Sequence, residues 1–178
     1  MVDPITLRRY LYRALFLFIC AVLIFLKLLP LTTEPRSIPG PDLLFCLTAV
    51  WIMRRPRWAP VGLIVLVHLL ADLLFMRPVG LWPALALLGY EFMRRQAEGS
   101  TELSPLAEIA LAGIAFTAIV TANALFLTIV GVQHPGVFAA VLHVLVTLLA
   151  YPFVMAFCVF VLRVRRRRPS ELDGSVVA

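Results

Sequence analysis

The sequence predicts an all-α integral membrane domain: a bundle of six transmembrane helices with both termini cytoplasmic. Three observations predict it. Hydrophobic residues make up 62% of the 178-residue chain, against roughly 45–50% in a soluble domain. Apolar runs recur from end to end and leave no room for a second, soluble domain. The basic residues lie between these runs, and they are one-sided. Thirteen of the sixteen Lys and Arg sort with the two termini and the loops after the second and fourth runs, leaving Lys27, Arg36 and Arg77 opposite. Positive charge accumulates on the cytoplasmic side of membrane proteins, which orients the bundle.

The elements follow in order. A short tail carries Arg8 and Arg9, and the apolar run Leu11–Leu31 is the first span. It is too long for a signal peptide and lacks a small-x-small cleavage site before Pro30. Lys27, near its far end, can snorkel to the interface. Thr32 to Asp42 holds three prolines and a glycine and reads as a loop. The second run, Leu43–Met53, covers only about 16 Å as a helix, short of a ~30 Å hydrocarbon core. It is either a re-entrant segment or a full span, and the charge sorting requires a span, because otherwise the Arg54–Arg57 cluster faces outward.

The third and fourth spans, about 59–75 and 80–93, are joined by the tight Met76-Arg77-Pro78-Val79-Gly80 turn. Ser104 and Pro105 are the expected N-cap and first residue of the fifth span, 105–130, with Glu108 suited to the helix dipole. The sixth span is 137–162, interrupted by Pro152. Arg163 and the run Arg165, Arg166, Arg167 and Arg168 close a membrane domain of residues 1–168, and residues 169–178 read as a disordered cytoplasmic tail. The arginine run is a topology anchor that also suits anionic lipid headgroups.

A net charge of +6 in this arrangement serves topology. It does not form the basic face of a nucleic-acid-binding domain, and no nucleic-acid partner is expected. Cys20, Cys46 and Cys158 all lie within apolar runs without CxxC spacing and read as small core or lipid-facing residues. Trp51, Trp58 and Trp82 lie near span ends and read as an interfacial belt. Glu91 stands three and four residues before Arg94 and Arg95 and is expected to pair with one of them.

Polar residues inside the spans are the candidates for function. Asp72 costs roughly 2.5–3.5 kcal/mol to place in lipid and so must face protein or a water-filled cavity. His68 is one turn earlier on the same helix face. Asn123 and His143 map to the same outer half as these two. Together they suggest a pocket or docking site on the outer side. For Asn123 and His143 interhelical hydrogen bonding is the plainer reading. For Asp72 the expectation is an anchor at the outer end of the third span, used for docking a membrane partner. No HExxH, paired-Cys or GxSxG pattern is present, so no metal, no cofactor and no enzyme activity are expected.

One stretch carries a family resemblance. Pro41-Asp42-Leu43-Leu44 opens the short second run, which ends at Trp51 and Arg54-Arg55-Pro56. His68-Leu69-Leu70-Ala71-Asp72-Leu73-Leu74 follows, then Pro78-Val79-Gly80-Leu81 and Tyr90. This pattern, over about 38–95, resembles the MreD family of bacterial rod-shape proteins, with His68 where that family usually has glycine. The resemblance implies a non-catalytic scaffold in the bacterial inner membrane. It implies association with the bitopic protein MreC, within an elongation complex that includes MreB, RodA and a class B penicillin-binding protein. It also implies a fold similar to the substrate-binding subunits (S-components) of energy-coupling-factor (ECF) transporters. The alternative that follows is a small-molecule-binding subunit of such an importer.

Overall fold

The computed structural model describes residues 4–29, 39–99, 104–132 and 136–164. Among these there are six α-helices, one short 3-10 turn and no strand. The helices are α1 (Pro4–Leu28), α2 (Leu43–Arg54), α3 (Val61–Leu74), α4 (Leu81–Gly99), α5 (Pro105–Val130) and α6 (Val137–Phe160). Three segments are long and apolar enough to cross a membrane: Arg9–Leu28 within α1, α5 and α6. The chain is thus a helical membrane bundle, as its composition predicts. Arg165 to Arg168 and the tail lie outside the described residues, as does most of the loop before Pro39.

Two helices outrun the apolar segments that predict them. The start of α1 at Pro4 precedes the apolar run, and α4 continues through Arg94 to Gly99. Backbone hydrogen bonding does not stop where hydrophobicity does, so a span marks the lipid-facing part of a longer helix. The extension of α4 carries the expected ion pairs, with Glu91 reaching both Arg94 (3.7 Å) and Arg95 (3.8 Å).

The centre of the bundle is α2. Every residue from Phe45 to Met53 is buried, and α2 packs against α1, α4, α5 and α6. A helix that is apolar all round belongs inside protein, and this explains its length: α2 is shielded from lipid by its neighbours. Its two ends lie at opposite ends of the bundle. Asp42, before its first turn, lines a cavity with Asp72 near the end of α3. Arg54, in its last turn, pairs with Glu108 in the first turn of α5. The short helix therefore links the cavity at its entry to the Arg54–Glu108 pair at its exit.

Trp51 departs from the sequence expectation. It is fully buried, with Phe16 at 5.2 Å and Tyr12 and Trp58 at 6.2 and 6.3 Å between ring centroids. It is a core residue and not part of an interfacial belt, because the helix that carries it is buried on every side from Phe45 to Met53. Trp58 stacks on Tyr12 at 3.9 Å and Arg55 lies over its ring, which gathers α1, α2 and the 3-10 turn at the arginine-rich end. The three cysteines are buried in the core.

Glu108 is the polar residue that sequence reasoning undervalued. It is 1% exposed, its Oε2 lies 3.1 Å from Arg54 Nη2, and its Oε1 accepts from the Tyr151 hydroxyl at 3.3 Å. The helix dipole alone does not require such burial. The signal in the sequence was an arginine at the end of a fully apolar helix, which needs a counter-charge wherever it packs.

Removing one partner from a buried ion pair leaves the other charge uncompensated, typically at about 3–5 kcal/mol. Arg54→Ala is therefore expected to lower stability by that order. Arg54→Met combined with Glu108→Met should recover most of it. Thermal unfolding in detergent measures both, and a double variant no better than the single would remove the pairing argument.

Candidate functional site

At the other end of the bundle, the entry to α2 is stitched to α6. Asp42 is the N-cap of α2, where Oδ1 accepts from the Phe45 N–H at 3.0 Å and satisfies one of the helix's orphaned donors. The Asp42 N–H donates to Thr147 Oγ1 at 3.1 Å, and the Gly40 carbonyl lies 3.0 Å from His143 Nδ1. A carbonyl only accepts, so that His143 nitrogen carries the proton. His143, Thr147 and Tyr151 are spaced four residues apart, so they form one polar stripe of α6 facing α2. His143 thus bonds the loop that enters α2, where the sequence suggested a bond between helices. Pro41 precedes the cap at the wall of the second cavity described below.

The α3–α4 turn places Asp72. The end of α3 closes with the Arg77 N–H donating to the Asp72 carbonyl at 3.0 Å, while Met76 takes the left-handed conformation (φ 52°) that usually calls for glycine. Gly80, at φ 94°, closes the turn, and its N–H donates to Asp72 Oδ2 at 3.2 Å. Asp72 itself is 1% exposed, and its Oδ1 is buried without a hydrogen-bond partner among the described residues. The aspartate thus holds the joint between α3 and α4 and keeps one oxygen spare. Pro78 lies in the same turn and lines the first cavity.

His68 shares the buried face of α3 with Asp72 but is used differently. Its Nδ1 lies 3.0 Å from the Ile64 carbonyl and its Nε2 lies 3.0 Å from the Tyr90 hydroxyl. With the ring neutral, Nδ1–H donates to Ile64 and Nε2 accepts from Tyr90. Tyr90 is buried and stacks on Phe45 of α2 at 5.4 Å. The pair therefore locks α3 to α4 and α4 to α2.

Two cavities open at this end. The first, about 350 Å³, lies between the start of α4, the second half of α5 and the start of α6, and Asn123 and His143 line it. The second, about 280 Å³, lies between α1, the entry of α2 and the end of α3, and is lined by Lys27, Asp42 and Asp72. Arg77 and Trp82 line both, with the guanidinium 5.5 Å from the indole centroid. The polar residues expected to converge are therefore divided: His68 is in the core, Asp72 in one cavity, and Asn123 and His143 in the other. Among the described residues no group of three or more His, Cys, Asp or Glu side chains is placed to hold a metal ion.

This fold and this site define an all-helical membrane protein with a polar, cavity-bearing end. No protein-family profile, curated protein or solved structure matches the chain.

Asp72→Ala leaves the half-buried Gly80 N–H without its partner, at about 1 kcal/mol, whereas Asp72→Asn keeps an acceptor oxygen in place. The alanine variant should unfold at lower temperature in detergent and the asparagine variant should stay close to the parent. Unchanged stability of Asp72→Ala would show that the turn does not depend on this bond.

Proposed function

We propose that the chain is a non-catalytic scaffold of the bacterial cell-elongation complex, resident in the inner membrane and binding an MreC-like bitopic protein. On this reading the complex also holds MreB, RodA and a class B penicillin-binding protein, and helps organise peptidoglycan synthesis and cell shape. The observation that carries it is how the residues of the MreD-like pattern are used. They hold one another: Asp72 holds Gly80, His68 holds Tyr90, and Asp42 caps α2. A motif whose polar groups are spent on joints between helices suits a protein that presents a shaped surface more than one that turns over a substrate.

A second feature supports this reading. A shallow groove along α5 is lined by Ala110, Gly113, Thr117, Ala118 and Thr121. Small residues let helix backbones approach closely in a bilayer, where dispersion contacts take the place of the hydrophobic effect.

The importer-subunit reading is favoured by a different observation, the 350 Å³ cavity with Arg77, Asn123 and His143 at its wall. Binding cavities for small molecules run from about 300 to 1,000 Å³. Mass spectrometry of denatured, lipid-extracted protein separates the two: a reproducible one-to-one organic ligand would favour the importer subunit.

Both termini are cytoplasmic on this reading, so a reporter active only outside the cytoplasm, fused at Ala178, should be silent. Strong activity would reverse the topology. Affinity capture of the tagged chain in mild detergent should recover a bitopic membrane protein. Ala118→Phe, which fills the groove from an exposed position, should cut that recovery at least several-fold at equal protein level. Undiminished recovery would move the docking surface elsewhere.

A further inference from the structure

The second cavity has an unusual charge arrangement. Two carboxylates, Asp42 and Asp72, and two cations, Lys27 and Arg77, line it together. Among the described residues no Lys27 or Arg77 nitrogen comes within 4.0 Å of either carboxylate. The cations lie against aromatic rings instead: the Lys27 ammonium 4.9 Å and the Arg77 guanidinium 5.4 Å from the Phe75 centroid, with Arg77 also 5.5 Å from Trp82. In surroundings of low dielectric, opposite charges attract far more strongly than in water. The buried Asp72 Oδ1, without a partner, marks the spot where a donor is missing.

We propose that this cavity binds a zwitterion in which a primary ammonium stands a few bonds from a phosphate, the chemistry of a phosphoethanolamine group. The phosphate sits between Lys27 and Arg77, whose charges no protein carboxylate neutralises directly. The ammonium donates to Asp72 Oδ1, the carboxylate oxygen left without a partner among the described residues. Balanced but separated charges on the protein match balanced but separated charges on the ligand, which neither a simple anion nor a simple cation does. At about 280 Å³ the space equals roughly nine waters at ~30 Å³ each, enough for such a headgroup. Leu26 and Leu43 at its wall are exposed on the bundle surface, so an attached diacylglycerol can leave the cavity along the bilayer. The same chemistry has two sources: the headgroup of an aminophospholipid, or free phosphoethanolamine.

The test uses the full chain, delipidated in detergent and offered equimolar phosphatidylethanolamine and phosphatidylglycerol before native mass spectrometry. One phosphatidylethanolamine per chain, retained at least fivefold over phosphatidylglycerol, is the expected result. Asp72→Asn keeps the turn's acceptor but removes the negative charge, so the preference should fall toward unity. Lys27→Gln, at the surface end of α1, should weaken retention of both lipids at unchanged helicity by circular dichroism. Calorimetric titration with free phosphoethanolamine assigns the source: binding there assigns a soluble ligand, and binding of the lipid alone assigns the headgroup. Equal retention of the two lipids by the parent protein, or a preference that survives Asp72→Asn, would overturn the proposal. So would binding of neither lipid nor free phosphoethanolamine, which would leave the cavity to water.

Discussion

A helix buried on every side sets the terms for the rest of this bundle. From Phe45 to Met53 no residue of α2 is left at the surface, so neither its orphaned terminal groups nor its closing arginine has easy access to water. An unpaired donor or a lone charge at such a position is costly. The solution lies largely on one neighbour. His143, Thr147 and Tyr151 of α6 meet the Gly40 carbonyl, the Asp42 N–H and the Glu108 carboxylate in turn. Glu108 in turn carries the ion pair to Arg54. The polar stripe of one helix thus fixes the depth and direction of another, and with it the height at which the cavities form.

The same economy governs the α3–α4 hairpin. Its turn accepts a left-handed Met76 and a left-handed Gly80, conformations that side chains other than glycine resist. Asp72 holds that geometry by bonding the chain on both sides of the turn, through its carbonyl to Arg77 and through Oδ2 to Gly80. One turn deeper, His68 and Tyr90 join the two helices again. Arg77, between these joints and the surface, ends up beside Trp82 at the partition of two cavities. Intramembrane polar residues are thus mostly structural here, and the groups left for recognition are those at the rim and the one spare oxygen of Asp72.

This division also separates the two ends of the molecule chemically. At the arginine-rich end, Arg54, Arg55 and Arg94 are held by a carboxylate, an indole ring and a backbone carbonyl of their own chain. At the cavity end, Lys27 and Arg77 rest on aromatic rings and line the same cavity as Asp42 and Asp72. The first arrangement anchors a bundle at an interface. The second leaves polar groups facing space that a ligand can enter.

Much of this was legible in the sequence. Hydrophobic content and the spacing of apolar runs determine the helix count, since lipid admits few alternatives to helices for a buried backbone. The caps at Ser104–Pro105 and the Glu91 pairs are local, set by residues three and four apart, and they stand as the sequence predicts. What only the tertiary structure decided depends on which helix stands in the middle. A short apolar run reads alike whether it is re-entrant, lipid-facing or central, because periodicity vanishes once every face is buried. Central placement of α2 turned Trp51 from an expected belt residue into core and Glu108 from a dipole partner into a buried counter-ion. It also parted His68 and Asp72, neighbours on one helix face, into a packed joint and a cavity wall. Contacts between residues 22 to 105 positions apart made those assignments, and no local pattern encodes them.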